Sequence, residues 1–323
     1  MPVARAAAWA SLVAANLVWG SSYVVVKVAL RELSPTALAS LRVTLAALLF
    51  WALWLAVPHL APGWTHLRGT APVPARSAVG MAALGLVGIA LSYLLSYRGI
   101  GMTTATDASL MVIGEVTFTA LLAALVAGEH LASRRALGIG LGAVGIGVLV
   151  FGNAAAGGPD GLARALGDLL VLAGVGLQAA YSVAGTGFAR RHGALTLLAF
   201  AHLGSLLVWL PLLAGEIASG GVQRVGGLAL AGVLYPAAAV SVGAFLAWFG
   251  ALRVVGAGAG AASLFLQPLV GAALGSLLLR EPAGARVLIG GGLVTAAFVL
   301  SSGTPRRNVP SSGAATAGRS RRA

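Results

Sequence analysis

The chain has 323 residues, of which 59% are hydrophobic and only 9% are charged, and its mean hydropathy is +0.94. Soluble domains carry about 25% charged residues, so this composition excludes an ordinary soluble fold and predicts an integral membrane protein. The net charge of +13 does not predict nucleic-acid binding, because five of the 21 Lys and Arg residues lie in the last 18 positions and the others are scattered between apolar runs. The sequence contains no cysteine, which excludes disulfides and thiol chemistry.

Ten apolar segments are long enough to cross a membrane, which takes about 17–25 residues of helix. The first resembles a signal peptide, but its apolar run continues to about Leu30, so it is predicted to be an uncleaved helix. Residues 304–323 are polar and basic and are predicted to form a disordered tail. The ten predicted helices are 8–30, 35–57, 77–99, 103–126, 136–152, 165–188, 194–214, 227–250, 254–279 and 286–302.

The second half of the chain repeats the first. The segment 92–129 returns between residues 243 and 281 at a constant offset of 152, which matches Glu115 with Gln267 and Glu129 with Glu281. The sequence therefore predicts an all-α integral membrane protein with ten transmembrane helices in two five-helix repeats. Because five is odd, the second repeat enters from the opposite side, and such inverted repeats around a central site are common in secondary transporters. The predicted repeats are 1–152 and 165–303, joined by a loop at 153–164.

The predicted orientation follows from Lys and Arg residues in short loops, which favour the cytoplasmic side. The basic tail decides the prediction, because without its five arginines the two sides carry nearly equal numbers. Both termini and the Glu129–Arg135 loop are predicted to be cytoplasmic, and Arg280–Arg286 is predicted to be external. The chain is thus predicted to be a multi-pass protein of the cell membrane.

Glu115 lies in the middle of the fourth predicted helix, where a carboxylate is costly and usually marks a transport pathway. It is predicted to couple transport to protons or to hold a substrate amine; the alternative is that it only pairs with Arg42 and joins two helices. Arg42, in the second predicted helix, either binds a substrate carboxylate or forms that pair, and pairing is the preferred interpretation. Gln267 occupies the matching position in the second half and is included in the predicted site.

Aromatic residues recur at helical spacing in the first and third predicted helices. Trp19, Tyr23 and Lys27 either line a cavity for an amphiphilic substrate or pack at the interface, with Lys27 extending outward. Tyr93 and Tyr97 form a second pair, for which packing is the preferred interpretation. Their counterparts in the other half are Phe245 and Phe249. The residues predicted to face a shared cavity are Trp19, Tyr23, Tyr93 and Tyr97.

Other polar residues are weaker candidates. Gln178 and Tyr181 are three positions apart on the sixth predicted helix and either complete the site or form a hydrogen bond between helices. His202 is predicted to be a contact between helices rather than a proton carrier. Asp107 fits a capping box with Thr104, which explains an acid at this position without a substrate role.

Three acids near predicted helix ends are assigned structural roles. Asp168 is predicted to be a first-turn acid of the sixth helix. Glu129 and Glu281 are predicted to pair at the surface with neighbouring arginines, which for Glu281 are Arg280 and Arg286.

Three pieces of the sequence carry a family resemblance. They are WGSSYVVVK at 19–27 with SPTALASLRVTLAALLF at 34–50, the segment 103–129, and its repeat SLFLQPLVGAALGSLLLREP at 263–282. Together these pieces resemble the EamA-type family of the drug/metabolite transporter superfamily. The resemblance covers about residues 8 to 303 and implies a ten-helix transporter of small metabolites, commonly an exporter, with no ATP-binding domain. The family often has Glu-Pro in the fourth and ninth helices. This chain has Glu115-Val116 and Gln267-Pro268, so the first half lacks the proline and the second lacks the charge.

The function predicted from these features is secondary transport. The expected substrates are small metabolites such as amino acids or related amphiphilic compounds, exported by alternating access with proton coupling. The expected partners are the lipid bilayer, the substrate and protons, and no cofactor is predicted. The alternatives are an intramembrane enzyme and a structural or regulatory membrane subunit. An enzyme would need convergent catalytic groups, but no His, Asp and Glu residues have metal-ligand spacing. The GxxxxGK[ST] motif is missing from the sequence, which excludes ATP-driven pumping by this chain alone. A structural subunit does not account for Glu115 and Arg42.

Overall fold

The structure is a computed structural model, and it describes residues 2–60, 65–69, 72–127, 133–155, 158–223, 225–255, 263–264, 266–282 and 284–301. These residues are mostly helical and contain no strand. The α-helices are α1 (Pro2–Ala29), α2 (Pro35–Leu60), α3 (Thr65–Arg68), α4 (Ala75–Gly85), α5 (Ser92–Met102), α6 (Ala105–Met111), α7 (Ile113–Ala127), α8 (Ser133–Ala155), α9 (Gly158–His192), α10 (Ala194–Ala218), α11 (Gly227–Leu234), α12 (Ala244–Val255), α13 (Leu266–Leu278) and α14 (Ala285–Ser301). Two π-helical segments, Leu86–Leu91 and Tyr235–Gly243, connect α4 to α5 and α11 to α12.

Seven helices of the described chain are long and apolar enough to cross a membrane. Two further apolar helices, Leu266–Leu278 and Ala285–Ala297, are shorter than that length. Each of the ten predicted segments contains described helical residues, but the number of crossings stays a prediction. The seven spans are Val3–Ala29, Pro35–His59, Ala75–Met102, Ala136–Ala155, Gly158–His192, Ala194–Ala218 and Gly227–Leu252.

The outer surface is apolar, whereas the interior contains several polar side chains. Leu207 is 73% exposed and Leu277 is 76% exposed, while Asp107 and Asp168 are completely buried. An apolar surface of this extent is costly in water and ordinary in lipid, where polar side chains face the protein interior. The all-helical, integral membrane class predicted from the composition is confirmed.

The most extensive packing joins helices of the first predicted half to helices of the second: α1 packs against α12 and α13, α2 against α10, α5 against α9, α6 against α13, and α8 against α14. Small residues allow close approach, which is how helices associate in lipid. At Gly20, for example, an added Cβ would lie 2.5 Å from the Gln267 carbonyl oxygen. The centre of the molecule is therefore built by both halves.

The fourth predicted helix is divided into α6 and α7, so the prediction of one continuous helix over 103–126 is wrong. Val112 separates the two, and its carbonyl accepts from the Glu115 amide across three residues instead of four. The same bond recurs 152 residues later, where the Leu264 carbonyl accepts from the Gln267 amide. Both halves thus leave regular α-helical geometry immediately before the matched Glu115 and Gln267.

The sixth predicted helix begins earlier than the sequence indicated. Helix α8 ends at Ala155 and α9 begins at Gly158, so the predicted 153–164 loop is much shorter. Pro159 and Asp160 explain this start, because proline fits the first helical turn and an acid there interacts favourably with the helix dipole. Asp168 is consequently buried about three turns into α9, and its assignment as a first-turn acid is wrong.

The two π-helical segments interrupt the third and eighth predicted helices at related positions. At the repeat offset of 152, Leu91 matches Gly243, so both segments end at the same place in their repeats. Such segments occur frequently at functional sites. Ser241 lies inside the second segment and Tyr93 two residues after the first, and both side chains contact Arg42.

Candidate functional site

Arg42 lies in the interior, where side chains from three predicted membrane helices meet. It is 6% exposed, and its Nη2 donates to the hydroxyl of Tyr93 at 3.4 Å and to the hydroxyl of Ser241 at 3.2 Å. The guanidinium carbon lies 4.3 Å from the centroid of the Tyr93 ring and 5.8 Å from that of Tyr97, within cation–π range. Arg42 is therefore held by hydroxyl groups and aromatic faces.

No acidic side chain in the described part of the chain forms a salt bridge with Arg42. An arginine has five N–H donors. In Arg42, both hydroxyl groups accept from Nη2, and the buried Nε has no acceptor among the described residues. The preferred sequence interpretation, an Arg42–Glu115 pair, is wrong for this conformation. The reason is that the guanidinium is directed towards the third and eighth predicted helices and not towards the fourth.

Glu115 lies half-buried in the first turn of α7. A helix amino terminus has free N–H groups and the positive end of the helix dipole, both of which favour a carboxylate. Among the described residues, no side chain forms a salt bridge or a hydrogen bond with it. Tyr23 lies within electrostatic reach of both Glu115 and Arg42. The interior thus holds two opposite, unpaired charges near one tyrosine.

The aromatic residues divide into two groups. The rings of Tyr93 and Tyr97 face Arg42, and Tyr23 lies within electrostatic reach of it. The buried hydroxyl of Tyr97 has no hydrogen-bond partner within 3.5 Å among the described residues. Trp19 instead packs against the eighth predicted helix: its Nε1 donates to the Val240 carbonyl at 3.1 Å, and its ring centroid lies 5.5 Å from that of Phe245. The side chain of Phe249, the predicted counterpart of Tyr97 in the other half, lies outside the described residues.

Lys27 is half-buried, and its described contacts are with backbone carbonyl groups. Its Nζ donates to the carbonyl groups of Ile100, Gly101 and Thr103 at the carboxyl end of α5. The last carbonyls of a helix lack partners within the helix, and a lysine satisfies them while interacting favourably with the helix dipole. Lys27 thus binds α1 to the end of α5.

The remaining predicted site residues have individual roles. Gln178 accepts a hydrogen bond from Ser92 at 3.3 Å, which favours the interpretation as a contact between helices. Tyr181 is buried, and its hydroxyl has no partner. The Nδ1 of His202 lies 2.8 Å from the Leu198 carbonyl, and its ring packs 4.6 Å from Phe50 while Nε2 has no partner. Gln267 is half-buried in the first turn of α13, at the position that matches Glu115 in α7.

A second group of charged residues joins the amino-terminal end of α6 to helices of the second half of the chain. Asp107 is fully buried, and Arg286 donates to both of its carboxylate oxygens at 3.1 to 3.3 Å. The Nη2 of Arg164 approaches the same carboxylate to 3.5 Å. The hydroxyl of Thr104 accepts from the Asp107 amide, which confirms the predicted cap. The carboxylate itself forms the forked arginine pair that is among the strongest polar contacts in proteins.

Asn153 joins Asp107 to a second buried acid, Asp168. Its Nδ2 donates to Oδ2 of Asp107 at 3.1 Å and to Oδ2 of Asp168 at 2.6 Å, and the hydroxyl of Thr103 donates to Asp168 as well. Two carboxylates and two guanidinium groups balance in charge. We call this group the charged cluster; its members are Thr103, Asp107, Asn153, Arg164, Asp168 and Arg286.

Glu281 strengthens the same end of α6. Its two carboxylate oxygens accept from the backbone N–H groups of Ala105 and Thr106, both at 2.8 Å. The prediction of a surface pair with Arg280 or Arg286 is therefore wrong, because the free N–H groups of the helix start are better donors to this carboxylate. The counterpart prediction for Glu129 lies outside the described residues.

Sequence reasoning missed Ser241, Asn153 and Arg164 and placed Arg286 at the surface. Asn153 offered a signal, since it follows directly after the apolar run 136–152 and a polar amide there requires a partner. Ser241 offered none, because small hydroxyl residues are common within membrane helices.

Comparisons with known proteins extend over nearly the whole chain. A model of the EamA-like transporter family matches residues 6–151 and 165–303. An "Uncharacterized transporter" of Archaeoglobus fulgidus is 28% identical over 299 residues, covering 88% of this chain and 94% of that protein. The "Uncharacterized transporter YetK" of Bacillus subtilis is 25% identical over 296 residues, covering 89% and 86%. The "Uncharacterized protein PA1977" of Pseudomonas aeruginosa is 31% identical over 282 residues, covering 85% and 87%.

A solved crystal structure has a similar fold. It superposes with a TM-score of 0.58 at 20% sequence identity, covering 92% of this chain and 97% of that one. At this identity the similarity shows the fold alone.

Proposed function

The chain belongs to the EamA-like transporter family, and we propose that it is a secondary transporter that exports small metabolites by alternating access. Membership of this family, together with relatives named as transporters, makes it a membrane transporter and not an enzyme. The proposed substrates are amino acids or related amphiphilic compounds. Protons are the proposed coupling ion.

The observation that carries the proposal is the pair of unpaired charges in the interior. Arg42 and Glu115 come from different helices, are both near Tyr23, and have no counter-ion among the described side chains. Charged groups inside a membrane are costly and mark substrate or ion pathways when they persist. Glu115 is proposed to carry a proton or hold a substrate amine, and the tyrosines around Arg42 are proposed to line the substrate site.

The proposed architecture has ten transmembrane helices in two inverted repeats, 1–152 and 165–303. Support comes from the family model, which matches the chain twice, and from the matched breaks before Glu115 and Gln267. Alternating access would then move one half against the other around the central site. In the predicted orientation within the cell membrane, both termini are cytoplasmic and the charged cluster closes the external face.

Single cysteines introduced into this cysteine-free chain test the inverted arrangement. Ala132→Cys and Ala283→Cys should react with a membrane-impermeant thiol reagent from opposite sides of the membrane. The physical reason is that five predicted helices, an odd number, lie between positions 132 and 283. Reaction of both from one side would rule out the arrangement.

Glu115→Gln tests the functional proposal, because glutamine keeps the size and hydrogen bonding but cannot titrate. The substrate is first identified by comparing the medium of overexpressing cells with that of an empty control. In proteoliposomes with a proton gradient, accumulation of that compound by Glu115→Gln should fall at least about tenfold, since loss of coupling removes the driving force. Exchange at equal concentrations should continue.

The matched control is Asp160→Asn, an exposed acid in the first turn of α9. It should accumulate substrate as the parent does. If Glu115→Gln also accumulates substrate against a gradient as well as the parent, Glu115 has only a structural role and the coupling proposal fails.

A further inference from the structure

We propose that the transported molecule carries an oxyanion, that is a carboxylate, phosphate or sulfonate group, and that Arg42 binds this group directly. This inference rests on the proposed function, because it specifies the chemistry of the molecule held at the central site. It concerns the charge class of the substrate, which the family does not determine.

The first argument is that Arg286 has a carboxylate as its partner, whereas Arg42 has no carboxylate partner among the described residues. Arg286 binds both oxygens of Asp107, and the ammonium group of Lys27 has three carbonyl partners. Arg42 is more deeply buried than either Arg286 or Lys27, yet its described partners are two neutral hydroxyl groups. A buried charge without a counter-ion is unfavourable, so a ligand that provides the negative charge gains affinity from it.

The second argument is geometric. Tyr93 covers one face of the guanidinium plane at 4.3 Å, and Ser241 and the Tyr93 hydroxyl engage Nη2. The buried Nε–H remains in the plane of the group, without an acceptor among the described residues. An oxyanion binds arginine edge-on through two parallel N–H donors, which is the approach that this arrangement leaves available.

Further unpartnered polar atoms lie among the surrounding side chains. The hydroxyl of Tyr97, whose ring is 5.8 Å from the guanidinium carbon, is buried without a partner. The buried Nε2 of His202 and the hydroxyl of Tyr181 also lack partners. Buried polar atoms in native proteins are nearly always hydrogen-bonded, and a polar ligand at Arg42 would supply a partner for the neighbouring Tyr97 hydroxyl.

The test uses the purified full chain in proteoliposomes and a defined pool of metabolites analysed by mass spectrometry. The pool contains matched sets that share a carbon skeleton: the acid, the amino acid, the amine and the amino amide, together with phosphorylated and sulfonated compounds. Every compound retained above empty liposomes should carry an oxyanion, and its amide analogue should be retained at least about tenfold less, as expected for loss of a charged hydrogen bond.

Variants connect this selectivity to Arg42. Arg42→Gln should reduce anion retention at least about tenfold, and Arg42→Lys, which keeps the charge without the planar fork, should give an intermediate loss. The matched control is Arg98→Gln, an exposed arginine one residue after Tyr97, which should behave as the parent. If Arg42→Gln does not insert, Arg42→Lys and Ser241→Ala still decide, because Ser241→Ala removes a guanidinium contact and should alter anion retention.

Each outcome has a defined meaning. Retention of cationic or neutral compounds, or parent-like anion retention by the Arg42 variants, overturns the inference while leaving transport itself established. Retention of nothing in the pool contradicts the proposed function and the inference with it. Anion retention that persists in Glu115→Gln supports recognition by Arg42 and separates it from proton coupling.

Discussion

Two interior arginines of this molecule occupy opposite electrostatic environments. Arg286 donates to both oxygens of the fully buried Asp107, within a cluster whose two acids and two arginines balance. Arg42 is more enclosed than Arg286 but contacts the hydroxyl groups of Tyr93 and Ser241. Where the chain provides the counter-ion, the charge holds helices together; where it does not, the charge remains available for a ligand.

The comparison separates stability from function in energetic terms. Removing one partner of a buried ion pair leaves the other uncompensated and typically costs about 3–5 kcal/mol. Removing a cation that has no counter-ion also removes its desolvation penalty, so the net cost is small. The charged cluster should therefore respond to substitution mainly through unfolding, and the Arg42 site mainly through transport.

Asp107→Asn should produce the largest loss of stability. The substitution leaves Arg286, and the partly buried Arg164, without a carboxylate, and we expect a loss of about 3 kcal/mol. Thermal unfolding of the purified protein in detergent measures it. Asp160→Asn, which neutralises an exposed acid on α9, should unfold at the parent temperature. An unchanged unfolding temperature for Asp107→Asn would show that the charged cluster contributes little.

Glu281→Gln should have a smaller effect in the same direction. Glutamine retains one acceptor oxygen for the N–H groups of Ala105 and Thr106 but loses the charge that interacts with the helix dipole. We expect a loss of about 1 kcal/mol, typical of a helix cap. Hydrogen exchange of the α6 amides should increase, and a loss as large as that of Asp107→Asn would contradict this ranking.

The sequence was sufficient for the helical membrane class and for placing Arg42 and Glu115 in the interior. The reason is that hydropathy reports directly on lipid exposure, and an isolated charge within an apolar run stands out. It was also sufficient for the Thr104–Asp107 cap, because capping involves residues only three positions apart.

Contacts between distant segments were not predictable from spacing. The choice of partner for Arg42, Arg286 and Glu281 depends on how helices from the two halves cross, and a single sequence does not encode these distances in its pattern. The break at Val112 was missed because the first half has no proline there, so the local sequence gives no signal for the end of α6.

The central claim is that Arg42 serves transport whereas Arg286 serves stability, and matched variants of the two arginines test it most directly. Arg42→Gln and Arg286→Gln make the same chemical change at a buried and at a half-buried arginine. Both thermal unfolding and substrate transport are measured for each. We expect Arg42→Gln to lose less than about 1 kcal/mol of stability and most of its transport, and Arg286→Gln to lose about 3 kcal/mol. If Arg42→Gln is destabilised as much as Arg286→Gln and transports normally once folded, the claim is contradicted.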